Sequence, residues 1–222
     1  MNTLEIILLI LLIAFGTAYN MYRHYSQRQF EEELNEALQT QGYASFCEML
    51  GSRKGRRCYP RYTADMKKLD AAILCGRHEE ARELIQGLNQ SVMSSKDYVN
   101  YNMAVLSYAV SIKDRAIGET ACGALRRRGI AQKYSREAEQ VYDIYLLRRS
   151  NHIEELQTFA AKVKNPSSRA MAYYRIARQY YYMDDIGQCR KYLTMSKNVF
   201  PDLTWRSVIQ KLLDGDYSEM DP

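Results

Sequence analysis

The 222 residues are enough for one domain with an appendage rather than for two full domains. Only 4 Pro occur, and good helix formers fill the long stretches between them, so we expect an all-α fold. The net charge of +5 is too small by itself to indicate nucleic-acid binding. The 5 Cys show no Cys-x-x-Cys spacing, which argues against a zinc or redox motif and favours free thiols in a reducing compartment.

Residues 1–25 are predicted to form a transmembrane signal anchor. The segment Leu4–Tyr19 is almost wholly apolar, and about 18 helical residues at 1.5 Å each span about 27 Å, close to the thickness of a bilayer core. Tyr19, Tyr22 and Tyr25 would form an aromatic belt where the chain leaves the lipid. The lipid bilayer is therefore the first expected partner.

A cleavable signal peptide and a buried soluble helix are the alternatives for this segment. A signal peptide needs positive charge at its start, but residues 1–5 contain no Lys or Arg. A buried core helix fits poorly because the apolar run leads directly into Arg23, His24 and Arg28. We therefore expect an uncleaved anchor in the cell membrane.

The distribution of positive charge predicts the orientation of this anchor. Arg23, Arg28 and a basic run at residues 53–61 all follow the apolar segment. Because Lys and Arg concentrate on the cytoplasmic side, the N-terminus is expected outside and the rest of the chain in the cytoplasm. The expected free thiols agree with this orientation.

Residues 26–61 are predicted to form a juxtamembrane amphipathic helix, Ser26–Leu50, followed by a basic loop that begins at Gly51. Gly42 weakens the helix midway. The basic residues are either a contact for anionic lipid headgroups or solvated charges that only set the topology. The residues in question are Arg53, Lys54, Arg56, Arg57 and Arg61.

Residues 62–200 contain a pattern that recurs about every 35 residues, with unit starts near 62, 99, 135 and 170. The last unit, 170–203, shows the clearest spacing. Its first helix carries Tyr173, Ile176, Ala177 and Tyr180, and its second carries Cys189, Leu193 and Ser196 before Pro201. This unit resembles a tetratricopeptide repeat, with Cys and Ser at positions where Ala is usual.

The resemblance implies a right-handed α-solenoid of helix pairs with a concave groove for a peptide or protein partner. In that family the groove is lined by residues of the first helix outside its packing positions. The corresponding residues of the last repeat are Met171, Tyr174, Arg178, Tyr181 and Tyr182. The repeat before it would contribute Arg136, Glu139, Asp143, Leu146 and Leu147.

Residues 201–215 are predicted to form a capping helix, because Trp205, Val208, Ile209 and Leu212 share one face that can cover the exposed end of a solenoid. This helix could instead fold over the Tyr174–Tyr181 stripe and bury it. Residues 216–222 are expected to be a frayed acidic tail.

We expect no catalytic, cofactor or metal site in this sequence. The segment 51–55 lacks the ending of a phosphate-binding loop, and no nucleophile elbow occurs. His24, His78 and His152 are far apart and are expected at the surface or in turns. Asp184 and Asp185 fit the acidic N-cap of a helix.

The predicted function is a membrane-anchored interaction scaffold rather than an enzyme. The alternative is a subunit of a membrane complex that associates through its transmembrane helix.

Overall fold

The computed structural model describes residues 3–88, 93–127, 130–218 and 220, without the side chains of residues 3–16 and 18–20. All regular elements among them are helices, which confirms the all-α prediction. They form two compact units, unit 1 at Met1–Val92 and unit 2 at Met93–Pro222. The helices of unit 1 are α1 (Thr3–Thr40), α2 (Tyr43–Gly51), α3 (Arg53–Cys58), α4 (Arg61–Leu74) and α5 (His78–Gly87). Those of unit 2 are α6 (Ser95–Ile112), α7 (Arg115–Arg127), α8 (Gln132–Val141) with a π-helical turn (Tyr142–Leu146), α9 (Ile153–Lys162), α10 (Pro166–Tyr182), α11 (Ile186–Val199) and α12 (Leu203–Leu213).

Helix α1 is continuous across the predicted boundary between anchor and amphipathic helix. It ends just before Gly42, whose φ of +88° is readily adopted only by a residue without a Cβ. Within the part of the chain that is described, no helix has both the length and the apolar composition that a membrane crossing requires. The side chains of the predicted anchor's apolar segment 4–19, Thr17 apart, lie outside the described residues, so the anchor stays a prediction.

The core of unit 1 forms where α1 meets α2 and the helices that follow. Phe30 and Leu34 of α1 are 1% exposed and lie in one cluster with Phe46, Leu50 and Tyr59. In the sequence, Phe30, Leu34, Ala37 and Leu38 recur at helical spacing, which predicts that this face of α1 points inward. Unit 1 is therefore assembled on the C-terminal half of α1.

The prediction of a basic loop after Gly51 is wrong in part, because Arg53–Cys58 is a helix. The side chain of Ser52 accepts a hydrogen bond from the Gly55 backbone N–H at 3.0 Å, which caps the first turn of α3. Ser is a favoured N-cap residue, so Ser52 is a local signal for the start of a helix. The basic composition of the residues after it favoured a loop instead.

Four helix pairs follow, and they begin at residues 61, 95, 132 and 166. Each start lies within four residues of a predicted unit start, because the spacing of apolar residues along a helix is a local property. The first pair belongs to unit 1 and the other three to unit 2. The predicted array 62–200 therefore crosses a unit boundary, and the right-handed solenoid stays a prediction.

The pair α10–α11 packs through the small residues that the repeat pattern identified. Ala177 and Cys189 are fully buried between the helices. The Ser196 hydroxyl donates to the Ala170 carbonyl oxygen at 2.7 Å, so a polar side chain is accommodated at the closest approach. Burial raises the pKa of the Cys189 thiol to about 11, which keeps the thiol protonated and unreactive.

Replacement of Ala177 by leucine is expected to destabilise unit 2 by about 1–3 kcal/mol, because no space exists for three further carbon atoms between α10 and α11. Chemical denaturation of the purified chain measures this difference. Ala161→Leu on the exposed face of α9 is the matched control and should shift the stability by less than about 0.5 kcal/mol. Equal stability of the two variants would show that the α10–α11 contact is misplaced.

Helix α12 packs against α11, as expected of a capping helix. Ile209 and Leu212 are fully buried, and the Trp205 ring stacks on Phe200 with centroids 5.5 Å apart. The expectation of a frayed tail at residues 216–222 is wrong for Met220, which is fully buried.

Candidate functional site

The five residues predicted to line the groove do not form one exposed surface. Tyr174 and Arg178 are buried, with 4% and 6% exposed. Trp205 of α12 approaches the Tyr174 ring edge-on, with centroids 5.8 Å apart. The expected exposure is therefore wrong for Tyr174 and Arg178. The alternative, in which the capping helix covers the stripe Tyr174, Arg178 and Tyr181, describes Tyr174, whereas Arg178 is contacted by the segment that follows α12.

Arg178 is the centre of a compact cluster of aromatic rings, named here the Arg178 pocket: Arg178, Tyr145, Tyr181 and Tyr182. The guanidinium lies 4.6 Å from the centroid of the Tyr145 ring, in a cation–π arrangement. Its Nε donates to the Tyr182 hydroxyl at 2.5 Å. Burial raises the pKa of Tyr182 although Arg178 lowers it, so the phenol is neutral at physiological pH.

The C-terminal segment completes this pocket. Arg178 Nη2 donates to the Met220 carbonyl oxygen at 3.2 Å. The ring of Tyr217 stacks on that of Tyr181, with centroids 5.1 Å apart and planes inclined by 21°. Tyr181 and Tyr182 are therefore only partly exposed, in contact with the chain itself.

Met171, the remaining predicted residue, lies in a different cavity, named here the α8–α10 groove. It encloses about 630 Å³ between α8, α9 and the first half of α10. The sequence comparison between repeats identified only Met171 and Arg136 among its residues. The lining also includes Lys133, Glu137, Glu155, Phe159 and Arg175.

Charged and apolar groups alternate along the α8–α10 groove. Arg136 holds Glu155 through two bonds of 2.7 Å, which lowers the pKa of the Glu155 carboxyl. Arg175 lies 4.0 Å from Glu137, and its Nε is buried without a hydrogen-bond partner. Phe159 is 47% exposed beside them. The groove thus offers an apolar ring together with an incompletely satisfied guanidinium.

His152 lies directly before α9, and its contacts were not predicted from the sequence. It is buried rather than at the surface, and its ring Nε2 lies 2.9 Å from an Asp143 carboxylate oxygen. Its backbone N–H donates to the Gln179 side chain at 2.9 Å. No sequence signal indicated these contacts, because the side-chain partner of the His152 backbone, Gln179, lies 27 positions away.

The polar network around His152 links the π-helical turn to α9. Nδ1 of His152 lies 3.4 Å from a Glu155 carboxylate oxygen. The Asp143 carboxylate also accepts a hydrogen bond from Arg149 Nη1 at 3.1 Å. Across the described ranges, no group of three or more His, Cys, Asp or Glu is arranged to hold a metal ion. The network therefore positions Glu155 for the α8–α10 groove.

The five basic residues predicted to contact lipid have separate environments. Lys54 is bound to Glu33 at 2.6 Å, and Arg61 lies 3.8 Å from Asp65. Arg53, Arg56 and Arg57 are exposed, and no ion pair or hydrogen bond to a described residue involves their side chains. Their spacing of three and four residues places these three arginines on one face of α3.

Comparison of the chain with protein-family models, with curated proteins and with solved structures gives no match.

Proposed function

We propose that this chain is a membrane-anchored interaction scaffold, in which tetratricopeptide-like helix pairs hold a peptide or protein partner at the cytoplasmic face of a membrane. The observation that carries the proposal is the α8–α10 groove, with Phe159 exposed and Arg175 incompletely bonded. Aromatic and arginine side chains dominate the energy of protein interfaces when they are buried by a partner.

The groove fits a segment that carries an apolar side chain next to an acidic one. An apolar side chain would cover Phe159, and a carboxylate would complete the hydrogen bonding of Arg175 more closely than Glu137 does at 4.0 Å. The Arg136 guanidinium is already paired with the Glu155 carboxylate. Arg136 therefore forms part of the groove wall and is not a free charge for the ligand. The proposed ligand is therefore a partly acidic, partly apolar peptide segment.

A groove variant, Phe159→Ser with Arg175→Gln, is expected to weaken partner binding by at least about thirtyfold, or about 2 kcal/mol. Partners would be identified by crosslinking and mass spectrometry on the intact chain, and their affinity then measured for each variant. Leu203→Ser with Arg190→Gln, both exposed on α12 and α11, is the matched control and should bind normally. Loss of binding in both variants, or in neither, would remove the groove from the proposal.

The proposed anchor is the apolar segment Leu4–Tyr19 of α1. Met21, Tyr22 and Tyr25 follow it on the same helix and are 74%, 70% and 62% exposed. Exposed aromatic side chains directly after an apolar segment suit the boundary between lipid and water. The exposed Arg53, Arg56 and Arg57 would then contribute attraction to anionic headgroups of about 1 kcal/mol each.

A reporter fused after Pro222 is expected to be active only in a form that functions in the cytoplasm, because the basic residues of the chain follow the apolar segment. Paired fusions to an enzyme active only outside the membrane and to one active only inside measure the orientation. Activity of the external reporter would reverse the proposed topology.

The second candidate function is that of a subunit held in a membrane complex by the helix itself. The exposed Met21, Tyr22 and Tyr25 would then contact neighbouring helices instead of lipid headgroups. Exchange of residues 4–19 for an unrelated apolar segment of equal length distinguishes the two. The scaffold retains its partner after this exchange, whereas the complex subunit loses it.

A further inference from the structure

Two described side chains of the segment that follows α12, those of Tyr217 and Met220, pack in the cluster that contains the α10 residues. Gly215 adopts a φ of +104°, which turns the chain after α12. The Met220 N–H then donates to the Tyr217 carbonyl oxygen at 2.8 Å and closes a second turn. Asp214, Asp216 and Ser218 are exposed, whereas Met220 is fully buried.

The contacts of this segment are of the kind that recognises a peptide. Tyr217 stacks on Tyr181, the Met220 side chain joins the core cluster beside α10, and Arg178 binds a backbone carbonyl oxygen. A carbonyl oxygen is present in every peptide, so the selectivity resides in an aromatic and an apolar side chain three positions apart.

We propose that the Arg178 pocket is a peptide-binding site that the chain's own Tyr217 and Met220 occupy. The partner it fits is a segment with an aromatic residue three positions before a methionine. This goes beyond the scaffold function proposed above, because the pocket and the α8–α10 groove are lined by different residues.

The bound segment is an imperfect ligand, which makes exchange with a partner feasible. The Tyr217 hydroxyl is buried without a hydrogen-bond partner, so its desolvation is not compensated. A phenylalanine at this position would make the same ring contact without that cost.

The test uses a labelled peptide with the sequence of residues 214–222 and a second peptide with phenylalanine in place of tyrosine. The variant Tyr217→Ser with Met220→Ser, in the full chain, should bind the peptide at least about tenfold more tightly than the intact chain, whose tethered segment competes at high effective concentration. The phenylalanine peptide should bind more tightly than the original. A peptide with the same residues in scrambled order should not bind.

Two further variants identify the pocket within this experiment. Arg178→Gln added to the Tyr217→Ser/Met220→Ser chain should abolish peptide binding. Phe159→Ser with Arg175→Gln, added to the same chain, should leave peptide binding unchanged. If the Tyr217→Ser/Met220→Ser chain folds but binds neither peptide, the proposal is overturned, and the function proposed for the α8–α10 groove is unaffected. Equal binding of the scrambled peptide would also overturn it.

If the Tyr217→Ser/Met220→Ser variant does not fold, hydrogen exchange in the unmodified chain tests whether a peptide can displace the bound segment. The Met220 N–H is held by the Tyr217 carbonyl oxygen, so it should exchange faster when the phenylalanine peptide is added in millimolar excess. An exchange rate that the peptide does not change would show that segment 214–220 is a fixed part of the fold.

Discussion

Truncation of Tyr174 to alanine is expected to lower the free energy of unfolding of unit 2 by about 3–5 kcal/mol. The ring is 4% exposed and is held against Trp205 of α12, so its removal leaves a cavity where α10 and α12 meet. The aromatic contact is lost as well, and Trp205, which is already partly exposed, becomes more exposed. Addition of Tyr181→Ala should increase the loss, because Tyr181 supports Tyr217.

Denaturant unfolding followed by circular dichroism measures this effect, and Tyr22→Ala provides the control. Tyr22 is 70% exposed, so its truncation should change the stability by less than about 0.5 kcal/mol. A Tyr174→Ala/Tyr181→Ala chain that folds normally but loses its partner would show that the stripe is a binding surface after all. The structure indicates the opposite result for Tyr174.

Replacement of Gly55 by alanine is expected to destabilise unit 1 by at least about 3 kcal/mol, the upper end of what overpacking costs. A Cβ at this position would collide with the Leu50 carbonyl oxygen and would lie 2.6 Å from that of Met49. Both atoms belong to the backbone, so no side-chain rotation relieves the contact. Helix α3 would have to move away from the end of α2.

Gly51→Ala is the matched control for this substitution, because Gly51 lies four residues earlier and a Cβ added there would meet no atom within 4 Å. It should be neutral or slightly stabilising, since alanine favours the helix that glycine disfavours. Thermal unfolding of both variants gives the comparison. Similar melting temperatures would mean that α2 and α3 do not approach at Gly55.

The sequence predicted the helices and the starts of the helix pairs because both depend on local spacing. Apolar positions such as Phe30 and Leu34, or Ala177 and Cys189, recur with the period of a helix and are buried as expected. The single helix predicted at Ser26–Leu50 is instead divided into α1 and α2, because Gly42 between them adopts a positive φ. These features require no knowledge of distant contacts.

The features that the sequence did not reveal depend on residues far apart in the chain. Arg178 binds the Met220 carbonyl oxygen from 42 positions away, and the His152 backbone binds Gln179 across 27. A helical repeat pattern identifies which face of α10 is free within one repeat, but not which later segment covers it. The tail therefore appeared frayed, and the stripe appeared exposed.

The continuity of α1 determines how unit 1 would be mounted on a membrane. Phe30 is the first buried residue among its described side chains, 11 positions after Tyr19, which is about 16 Å along the helix axis. Because the helix is continuous, a change in its length between Tyr19 and Phe30 would both displace unit 1 along the helix axis and rotate it about that axis. One residue inserted in this part of the helix would turn unit 1 by about 100° relative to the lipid, and would carry the three exposed arginines of α3 to another side of the helix.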